Sequence, residues 1–390
     1  MDKFAIKLKS HLNFSYFVAQ RLIKTADKSF TSVIIKIAIA GLSLSVAIMI
    51  LSTAIISGFK REINSKIFGF WGHIHISDAS TVKNFELSPL VIDRSLINDV
   101  LKVKNVEYET NRTIFGIPIS SSIIKKTEGG VKNAEPYIIT QCLLETKKEM
   151  IASLIKGVSK EFDWTRMNKF MLHGRALESN DTSNQIIVSK IIADKLNLKE
   201  GSKLIVTFIS QEKTKLKRVL KVKGIYNTGL EEYDERFIIG HAPLLQEVLQ
   251  WSASQYSGLE VTVDQPDEME VINDYLYGTV LPTNFYSEVI QEKFPNIFEW
   301  LKLQDINEVV ILILMCVVAI INLITVLLIL ILERSKMVGI FKSLGASNWS
   351  IRKIFLYNTA YILLCGLLIG NLIGLGVAAL QKSFGFIKLD

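Results

Sequence analysis

Three long apolar segments without a charged residue constrain the fold of this 390-residue chain more than any other feature of its sequence. They run over 37–57, 309–332 and 354–380. At a rise of about 1.5 Å per residue, each segment can cross a hydrocarbon core about 30 Å thick as a helix. A soluble core seldom keeps every face of such a helix free of charge. The segments therefore predict three membrane-spanning helices.

The basic side chains flank these segments unevenly. Residues 1–36 hold seven basic and two acidic side chains, and residues 333–353 hold five basic and one acidic. The stretch 59–308 is net negative, although the whole chain carries +7. Because Lys and Arg concentrate in cytoplasmic flanks, we expect the N-terminus and 333–353 in the cytoplasm and 59–308 on the other side. The positive charge then reflects membrane topology and does not require a nucleic-acid partner.

The stretch between the first two spans alternates strand-like and helix-like patterns, which indicates a mixed α+β domain in two lobes, near 75–140 and 150–265. Cys142 is alone in this domain, so no disulfide framework supports it. The predicted order is an amphipathic cytoplasmic segment (1–36), a first span (37–57), the α+β domain with a stalk helix at each end (58–308), a second span (309–332), a cytoplasmic helix (333–353), a third span (354–380) and a short outer tail (381–390).

Several motifs that carry chemistry are missing from the sequence. No GxxxxGK[ST] loop occurs, so ATP hydrolysis would have to come from another chain. No Asp, Glu, Lys, Arg or His lies inside the three apolar segments, which argues against an ion- or proton-coupled carrier. His73 and His75 share one strand face but have no third ligand nearby, so no metal site is expected. The acidic run 229–235 is interpreted as a solvated loop, and no catalytic or cofactor-binding residue is predicted.

Small and polar residues within the spans predict close helix packing. Residues of this kind at four-residue spacing let two helix backbones approach each other. The positions are Gly41 and Ser45 in the first span, and Gly366, Gly370 and Gly374 in the third. Asn322, Thr325 and Asn371 are expected to form hydrogen bonds between helices.

The segment between the second and third spans, LERSKMVGIFKSLGASNWSIRKIF, is the most informative. Four apolar side chains share one face of a short helix, namely Met337, Ile340, Phe341 and Leu344. Gly345 is expected to end this helix, and Ser347 or Asn348 to cap the next. A short amphipathic helix joined to two spans could move both when a partner docks on it, whereas an ordinary basic loop would share the charge pattern alone.

The residues LERSKMVGIFKSLGAS resemble the cytoplasmic coupling segment of the FtsX-like ABC permeases, a superfamily that includes the MacB type. Within it, the chain resembles the lipoprotein-releasing permeases of the LolC/LolE type over nearly its whole length. The runs SGFKREINSKIFGFWGHIHI, IIVSKIIADKLNLKEGSKLIV and VKGIYNTGLEEYDERFIIG contribute to this resemblance.

The resemblance implies an inner-membrane protein with a periplasmic domain of the MacB core type. It implies a second permease subunit, identical or different, and a separate cytoplasmic ATPase that uses ATP and binds the coupling helix. It also implies a lipoprotein cargo and a periplasmic carrier. The positions that match the coupling motif are Glu333, Arg334, Gly339, Lys342, Gly345 and Ala346. The face expected to enter the ATPase cleft is Met337, Ile340, Phe341 and Leu344.

Two features depart from the family pattern. Family members have a fourth span with a cytoplasmic C-terminus, which is expected here but missing from the sequence. Carrier-recruiting members have a long proline-rich hairpin where this chain has only SQEKTKLK at 210–217, between strands expected at 203–209 and 218–226. Other functions stay open, namely small-molecule export, cell-division signalling, or a membrane receptor or scaffold without transport.

Overall fold

The computed structural model describes residues 14–25, 30–80, 88–114, 117–147, 149–178, 184–209 and 215–385. The chain forms two compact units. One unit, here called the helical unit, combines Met1–Glu62 with Glu299–Asp390, and the other, the sheet unit, is Ile63–Phe298.

The helices, in chain order, are α1 (Phe14–Thr25), α2 (Phe30–Trp71), α3 (Arg94–Leu101), α4 (Thr165–Asn168), α5 (Lys190–Lys195), α6 (Glu231–Asp234), α7 (Ala242–Leu249), α8 (Met269–Tyr275), α9 (Ile290–Lys293), α10 (Pro295–Glu333), α11 (Ser335–Ser343) and α12 (Asn348–Phe384). The strands are β1 (Ile74–Asp78), β2 (Leu90–Val91), β3 (Glu107–Ile114), β4 (Ile117–Lys126), β5 (Val131–Glu145), β6 (Met150–Val158), β7 (Met171–Gly174), β8 (Gln185–Ser189), β9 (Lys203–Ile209), β10 (Lys215–Tyr226), β11 (Phe237–His241), β12 (Gln255–Tyr256), β13 (Gly258–Val263) and β14 (Phe285–Val289).

Three helices within the described residues, α2, α10 and α12, have the length and apolar composition needed to cross a membrane. Each contains one of the predicted spans and continues beyond it as helix. From the sequence, the first span is predicted to extend as a stalk that Gly69 and Gly72 break. Gly69 instead lies inside α2, and the helix ends at Gly72, whose φ of +73° is in the left-handed region that favours glycine.

The helical unit has a small apolar core where three of its helices meet. Ala38 of α2, Val326 and Leu330 of α10, and Ile362 of α12 form one buried cluster. Beyond the apolar segments, α2 and α10 are also linked by the Lys60–Asp305 ion pair, with 2.5 Å between Nζ and Oδ1. The rings of Phe59 and Trp300 meet edge to face beside this pair, 5.5 Å apart.

Helix α1, part of the predicted amphipathic N-terminal segment, packs on the first half of α12. Ala19 is buried in this contact, and the rings of Tyr16 and Tyr357 meet edge to face at 5.6 Å. Residues 1–13 and 26–29 of the predicted segment lie outside the described residues.

The sheet unit is built around a ring of strands. In the described part of the chain, strand pairing runs β5–β6–β11–β8–β10–β9 and returns to β5, so six strands close a small barrel. The β6–β11 and β8–β10 pairs are parallel and the others are antiparallel. Apolar side chains from these strands and from α5 and α7 form one buried cluster, which includes Leu144, Ile155, Val206, Leu220 and Leu245.

The same sheet extends beyond the barrel. β13 pairs with the first half of β5, β1 pairs with β13, and β14 pairs with β1 at the margin. β7 pairs with the end of β10. Two smaller two-stranded sheets, β2–β12 and β3–β4, are separate from it.

The structure confirms the mixed α/β composition of the domain and corrects its predicted division into two lobes. One continuous sheet joins strands from both proposed lobes, because β5 pairs with β13 on one side and with β6 on the other. Cys142 of β5 is buried in the barrel core as a free thiol, and burial raises its pKa to about 12. The link between β9 and β10 that falls within the predicted short hairpin, residues 210–214, lies outside the described residues.

The acidic run 229–235 is not a solvated loop throughout, which corrects the prediction. Tyr233 and Asp234 are buried within it. The Asp234 carboxylate accepts hydrogen bonds from the backbone N–H groups of Thr228 (3.0 Å) and Gly229 (3.1 Å), and from the Thr228 hydroxyl (2.8 Å). These hydrogen bonds join the short helix α6 to the turn that follows β10.

His73 makes the stability of the sheet unit depend on pH. Its Nδ1 accepts the backbone N–H of Val263 (3.1 Å), so the ring must be neutral at that nitrogen. Burial, assisted by Arg166 and Lys132, lowers the His73 pKa to about 4. The unfolded chain binds a proton near pH 6.5, so the stabilisation is complete above that pH and is lost as pH falls towards 4. We expect a loss of about 2 kcal/mol between pH 8 and pH 5.

Hydrogen exchange at the Val263 amide, measured on the full chain in nanodiscs and corrected for intrinsic rates, should report this loss. His73→Asn offers a matched control, because an amide oxygen can take the place of Nδ1 without titrating. Equal pH dependence in the two proteins would contradict the assignment.

Candidate functional site

The predicted coupling segment forms a distinct short helix between two long ones. Helix α10 ends at Glu333, and Arg334 leaves the helical region with φ −98° and ψ 15°. Helix α11 then covers Ser335–Ser343, and α12 begins at Asn348. The predicted range 333–353 thus contains one complete helix and the first six residues of α12, ahead of the predicted third span.

A compact turn separates α11 from α12. Gly345 has φ +87°, and its N–H bonds to the carbonyl of Lys342 (3.0 Å) while the N–H of Ala346 bonds to that of Phe341 (2.9 Å). This pair of bonds is the Schellman motif, which satisfies the last carbonyls of a helix. Ser347 caps α12 by accepting the Ser350 N–H at 3.2 Å. Gly345 and Ser347 therefore fix the path of the chain between the two helices.

Gly345→Ala should loosen this turn, because an L side chain in the left-handed region costs about 1 kcal/mol. We expect faster hydrogen exchange in the last turn of α11 and at the Ala346 amide, with exchange in the sheet unit unchanged. Gly339→Ala is the matched control, since an added Cβ at Gly339 meets nothing within 4 Å and its backbone is helical. The assignment fails if the two substitutions have the same effect on exchange.

The apolar side chains of the coupling segment are unequally exposed. Ile340 is 59% exposed and Leu344 76% exposed, whereas Met337 and Phe341 are half-buried. The four-residue face expected from helical spacing is therefore divided, with two side chains facing outward. Among the residues that match the coupling motif, Glu333, Gly339 and Lys342 are exposed, and Arg334 and Ala346 are half-buried.

Trp349, in the first turn of α12, adds to the outward apolar surface and was not singled out from the sequence. Its side chain is 58% exposed, and Lys353 Nζ lies 5.6 Å from its ring centroid. We call Ile340, Leu344 and Trp349 the coupling surface. The available signal is an aromatic residue two positions after the helix cap Ser347, outside the α11 periodicity. The basic residues Lys336, Lys342 and Arg352 lie close to these three residues in the sequence.

The small residues predicted to permit helix packing lie where α2 approaches the other two long helices. A Cβ at Gly366 would come within 2.5 Å of Leu42, and one at Gly370 within 2.7 Å of Val46 and 2.8 Å of the Ser43 carbonyl oxygen. At Gly374 the nearest atoms belong to Ile50, at 3.0 Å. The three glycines therefore form a groove on α12 that receives α2.

The first span contributes its own small residues. A Cβ at Gly41 would lie 2.7 Å from Asn322 Nδ2 of α10, and Ser45 is buried with its hydroxyl bonded to the Gly41 carbonyl (3.1 Å). Asn322 also crosses between helices by donating to the Ala38 carbonyl (3.2 Å). Thr325 and Asn371 differ from expectation, because each donates to a carbonyl of its own helix. A polar side chain can return to its own backbone four residues earlier, which spacing alone does not reveal.

His73 and His75 are both buried near the start of the sheet unit. His75 Nδ1 lies 3.3 Å from Lys293 Nζ, a cation. Within the described residues, no three His, Cys, Asp or Glu side chains are grouped as a metal site.

Known proteins match the chain in two ways. Residues 309–389 match the family described as FtsX-like permease C-terminal. Over most of its length the chain is similar to lipoprotein-releasing system transmembrane proteins. It is 23% identical to LolC of Buchnera aphidicola (subsp. Schizaphis graminum), covering 91% of this chain and 81% of that protein. It is 20% identical to LolE of Haemophilus influenzae, covering 96% and 84%.

A third relative and one solved structure complete the comparison. LolC of Neisseria meningitidis serogroup B is 22% identical, with 91% of this chain and 81% of that protein covered. The extracellular domain of the noncanonic ABC-type transporter YknZ from Gram-positive bacteria aligns with a TM-score of 0.36 and 12% identity, over 56% of this chain and 100% of that one. Residues 309–389 therefore match an FtsX-like permease domain, in a chain that is similar over most of its length to lipoprotein-releasing transmembrane proteins.

Proposed function

We propose that the chain is the transmembrane permease subunit of an ABC-type transporter that extracts lipoproteins from the inner membrane for transfer to the outer membrane. The similarity to proteins named for lipoprotein release, together with the FtsX-like permease domain, supports this assignment. The chain itself performs no chemistry in this proposal. A separate cytoplasmic ATPase binds and hydrolyses ATP, and a second permease subunit completes the transporter.

The proposed topology places the N-terminus and α11 in the cytoplasm and the sheet unit in the periplasm. The excess of Lys and Arg in 1–36 and 333–353 supports this orientation, because such residues favour the cytoplasmic side. The cargo would leave the outer leaflet beside the sheet unit and pass to a periplasmic carrier. In this arrangement, the carrier could be held by either permease subunit.

The single observation that carries the proposed mechanism is the coupling surface. Ile340, Leu344 and Trp349 expose apolar area on a short helix and on the first turn of the helix that follows it. A cytoplasmic site of this kind favours a protein partner, since these large apolar side chains otherwise remain largely in contact with water. In our proposal they enter a cleft of the ATPase, so that its closure on ATP displaces α10 and α12 together.

Leu344→Asp tests this proposal directly. Leu344 is 76% exposed, so the substitution should leave folding intact while placing a carboxylate in an apolar interface. We expect at least a tenfold weaker ATPase affinity and loss of ATP-dependent lipoprotein release from proteoliposomes. The ATPase to use is the soluble ABC ATPase that copurifies with this chain.

Ser343→Asp is the matched control, because Ser343 is the preceding residue, is exposed, and lies outside the coupling surface. It adds the same charge and should leave affinity and release near the wild-type values. Normal release by the Leu344 variant would contradict the proposed coupling. Release of a small molecule in place of lipoprotein by the wild-type complex would instead favour an exporter of another cargo.

A further inference from the structure

The C-terminal end of α2 is held inside the sheet unit by aromatic side chains. Phe70 and Trp71 are buried almost completely. The ring of Phe70 packs against Tyr233 at 6.1 Å and Phe237 at 5.8 Å, and the ring of Trp71 lies 5.0 Å from Phe237 and 5.4 Å from Phe294. These contacts bury the helix end but, being apolar, do not by themselves fix its rotation or its depth.

A buried cation supplies a directional contact at the same place. Lys156 of β6 donates from Nζ to the backbone carbonyl of Phe70 (2.5 Å) and to Glu260 Oε2 of β13 (2.9 Å). The two charged side chains are each only 1% exposed. The Lys156 ammonium also lies over the rings of Phe70 and Trp71, 4.8 and 4.6 Å from their centroids. The last carbonyls of a helix lack partners within the helix and carry its negative end, so a cation is well suited to this position.

The neighbouring carboxylates explain why a cation is needed at the position of Lys156. Glu260 and Glu135 are directly opposite each other on β13 and β5, and two like charges in this relation repel. Arg166 pairs with Glu135 and also donates to Thr262 Oγ1 (2.8 Å), so it is committed to that carboxylate. Lys156 is the cation that hydrogen-bonds both Glu260 and the end of the helix.

A buried ion pair of this kind is poorly explained by stability alone. Removing two charges from water is costly, and well-packed apolar residues in their place often give an equally stable protein. What the apolar residues could not supply is a hydrogen bond to one chosen carbonyl. The pair instead adds a defined orientation of α2 against β6 and β13.

We propose that Lys156 and Glu260 are positioning residues that lock the C-terminal end of α2 to the sheet, so that movement of α2 is passed to the sheet unit without rotation or slippage at this junction. The proposal rests on the proposed transport function, because it assigns the junction a part in transmission. Neither residue contacts the cargo or ATP in this scheme.

The test compares the double substitution Lys156→Met with Glu260→Leu against the wild-type chain, each in the assembled complex with its ATPase. The substitution removes both charges and keeps apolar volume, so the unfolding temperature should change little. Hydrogen exchange over residues 68–73 should rise at least fivefold. The amount of lipoprotein released per ATP hydrolysed should fall at least fivefold while ATP hydrolysis continues.

Arg218→Met with Glu247→Leu is the matched control. This pair joins β10 to α7 at the surface of the same unit (2.8 Å), and its loss should leave both readouts unchanged. If the first double variant does not assemble, Lys156→Met with Glu260→Gln keeps the shape and polarity of the second side chain while removing the cation. The same two readouts are then applied to it.

Faster exchange together with reduced release per ATP supports the proposal. Unchanged exchange overturns it, as does faster exchange with a normal release ratio, which would make the pair structural only. If the wild-type complex shows no ATP-dependent release, the proposed function fails and the transmission role fails with it. The exchange data identify that case, because they report the junction independently of any cargo.

Discussion

Gly370→Leu is expected to prevent the normal packing of α2 against α12 and to yield a chain that aggregates or is degraded in the membrane. Even a Cβ at this position would lie 2.7 Å from Val46 Cβ and 2.8 Å from the Ser43 carbonyl oxygen. Neither atom can move away by a side-chain rotation. The Ser43 oxygen belongs to the backbone, and Val46 Cβ is bonded directly to its own Cα. The helices would have to separate, and overpacking of this kind costs about 1–3 kcal/mol even for small additions.

The same helix offers a control of equal size and composition. Gly376→Leu adds the same side chain where nothing lies within 4 Å. The recovery of monodisperse protein after heating in detergent should fall sharply for the Gly370 variant and stay near wild type for the Gly376 variant. Gly370→Ala should be intermediate. Similar behaviour of the two leucine variants would show that α2 and α12 do not pack as described.

Asp234→Ala is expected to destabilise the sheet unit by about 3 kcal/mol. Its carboxylate is 1% exposed and accepts two backbone N–H groups and the Thr228 hydroxyl. Alanine would leave those N–H groups buried without an acceptor, which is more costly than the loss of an exposed hydrogen bond. For a unit of this size, the unfolding temperature should fall by roughly 6–12 °C.

Asp234→Asn separates the hydrogen bonds from the charge. The amide oxygen can still accept the Thr228 and Gly229 N–H groups, and the amide nitrogen can donate to the Thr228 hydroxyl, which can accept as well as donate. We therefore expect Asn to retain most of the stability that Ala loses. Differential scanning fluorimetry of the full chain would measure both, and equal losses would mean that charge, not hydrogen bonding, holds this turn.

The helical unit could be predicted closely from the sequence because its signals are local. Long uncharged runs specify spanning helices, and Gly345 and Ser347 specify the turn between α11 and α12 through their own backbone requirements. The exposure of Trp349 escaped prediction because it depends on how two helices meet. The continuation of α2 through Gly69 also escaped it, since a glycine is tolerated in a helix that is supported by packing on both sides.

The sheet unit was harder to predict for a physical reason. Strand β5 pairs with β13 along its first half and with β6 and β9 along its second. Consecutive residues in its centre are buried, so β5 lacks the alternation expected of a half-buried strand. The buried region also contains the charged residues Glu135 and Lys156, which are typical of surface segments. Their partners, Arg166 and Glu260, lie 31 and 104 residues away, beyond the reach of any local pattern.

The closed ring of β5, β6, β11, β8, β10 and β9 affects how the domain would respond to mechanical load. An open sheet can be peeled from a free margin, one rung of the ladder at a time. Within the described residues, each strand of this ring pairs with a neighbour on both sides. A force applied at β6 is therefore shared by two neighbouring strands, and the ring offers no unpaired edge at which strand separation can begin. We therefore expect the ring of strands to move as one rigid unit when force is applied to it.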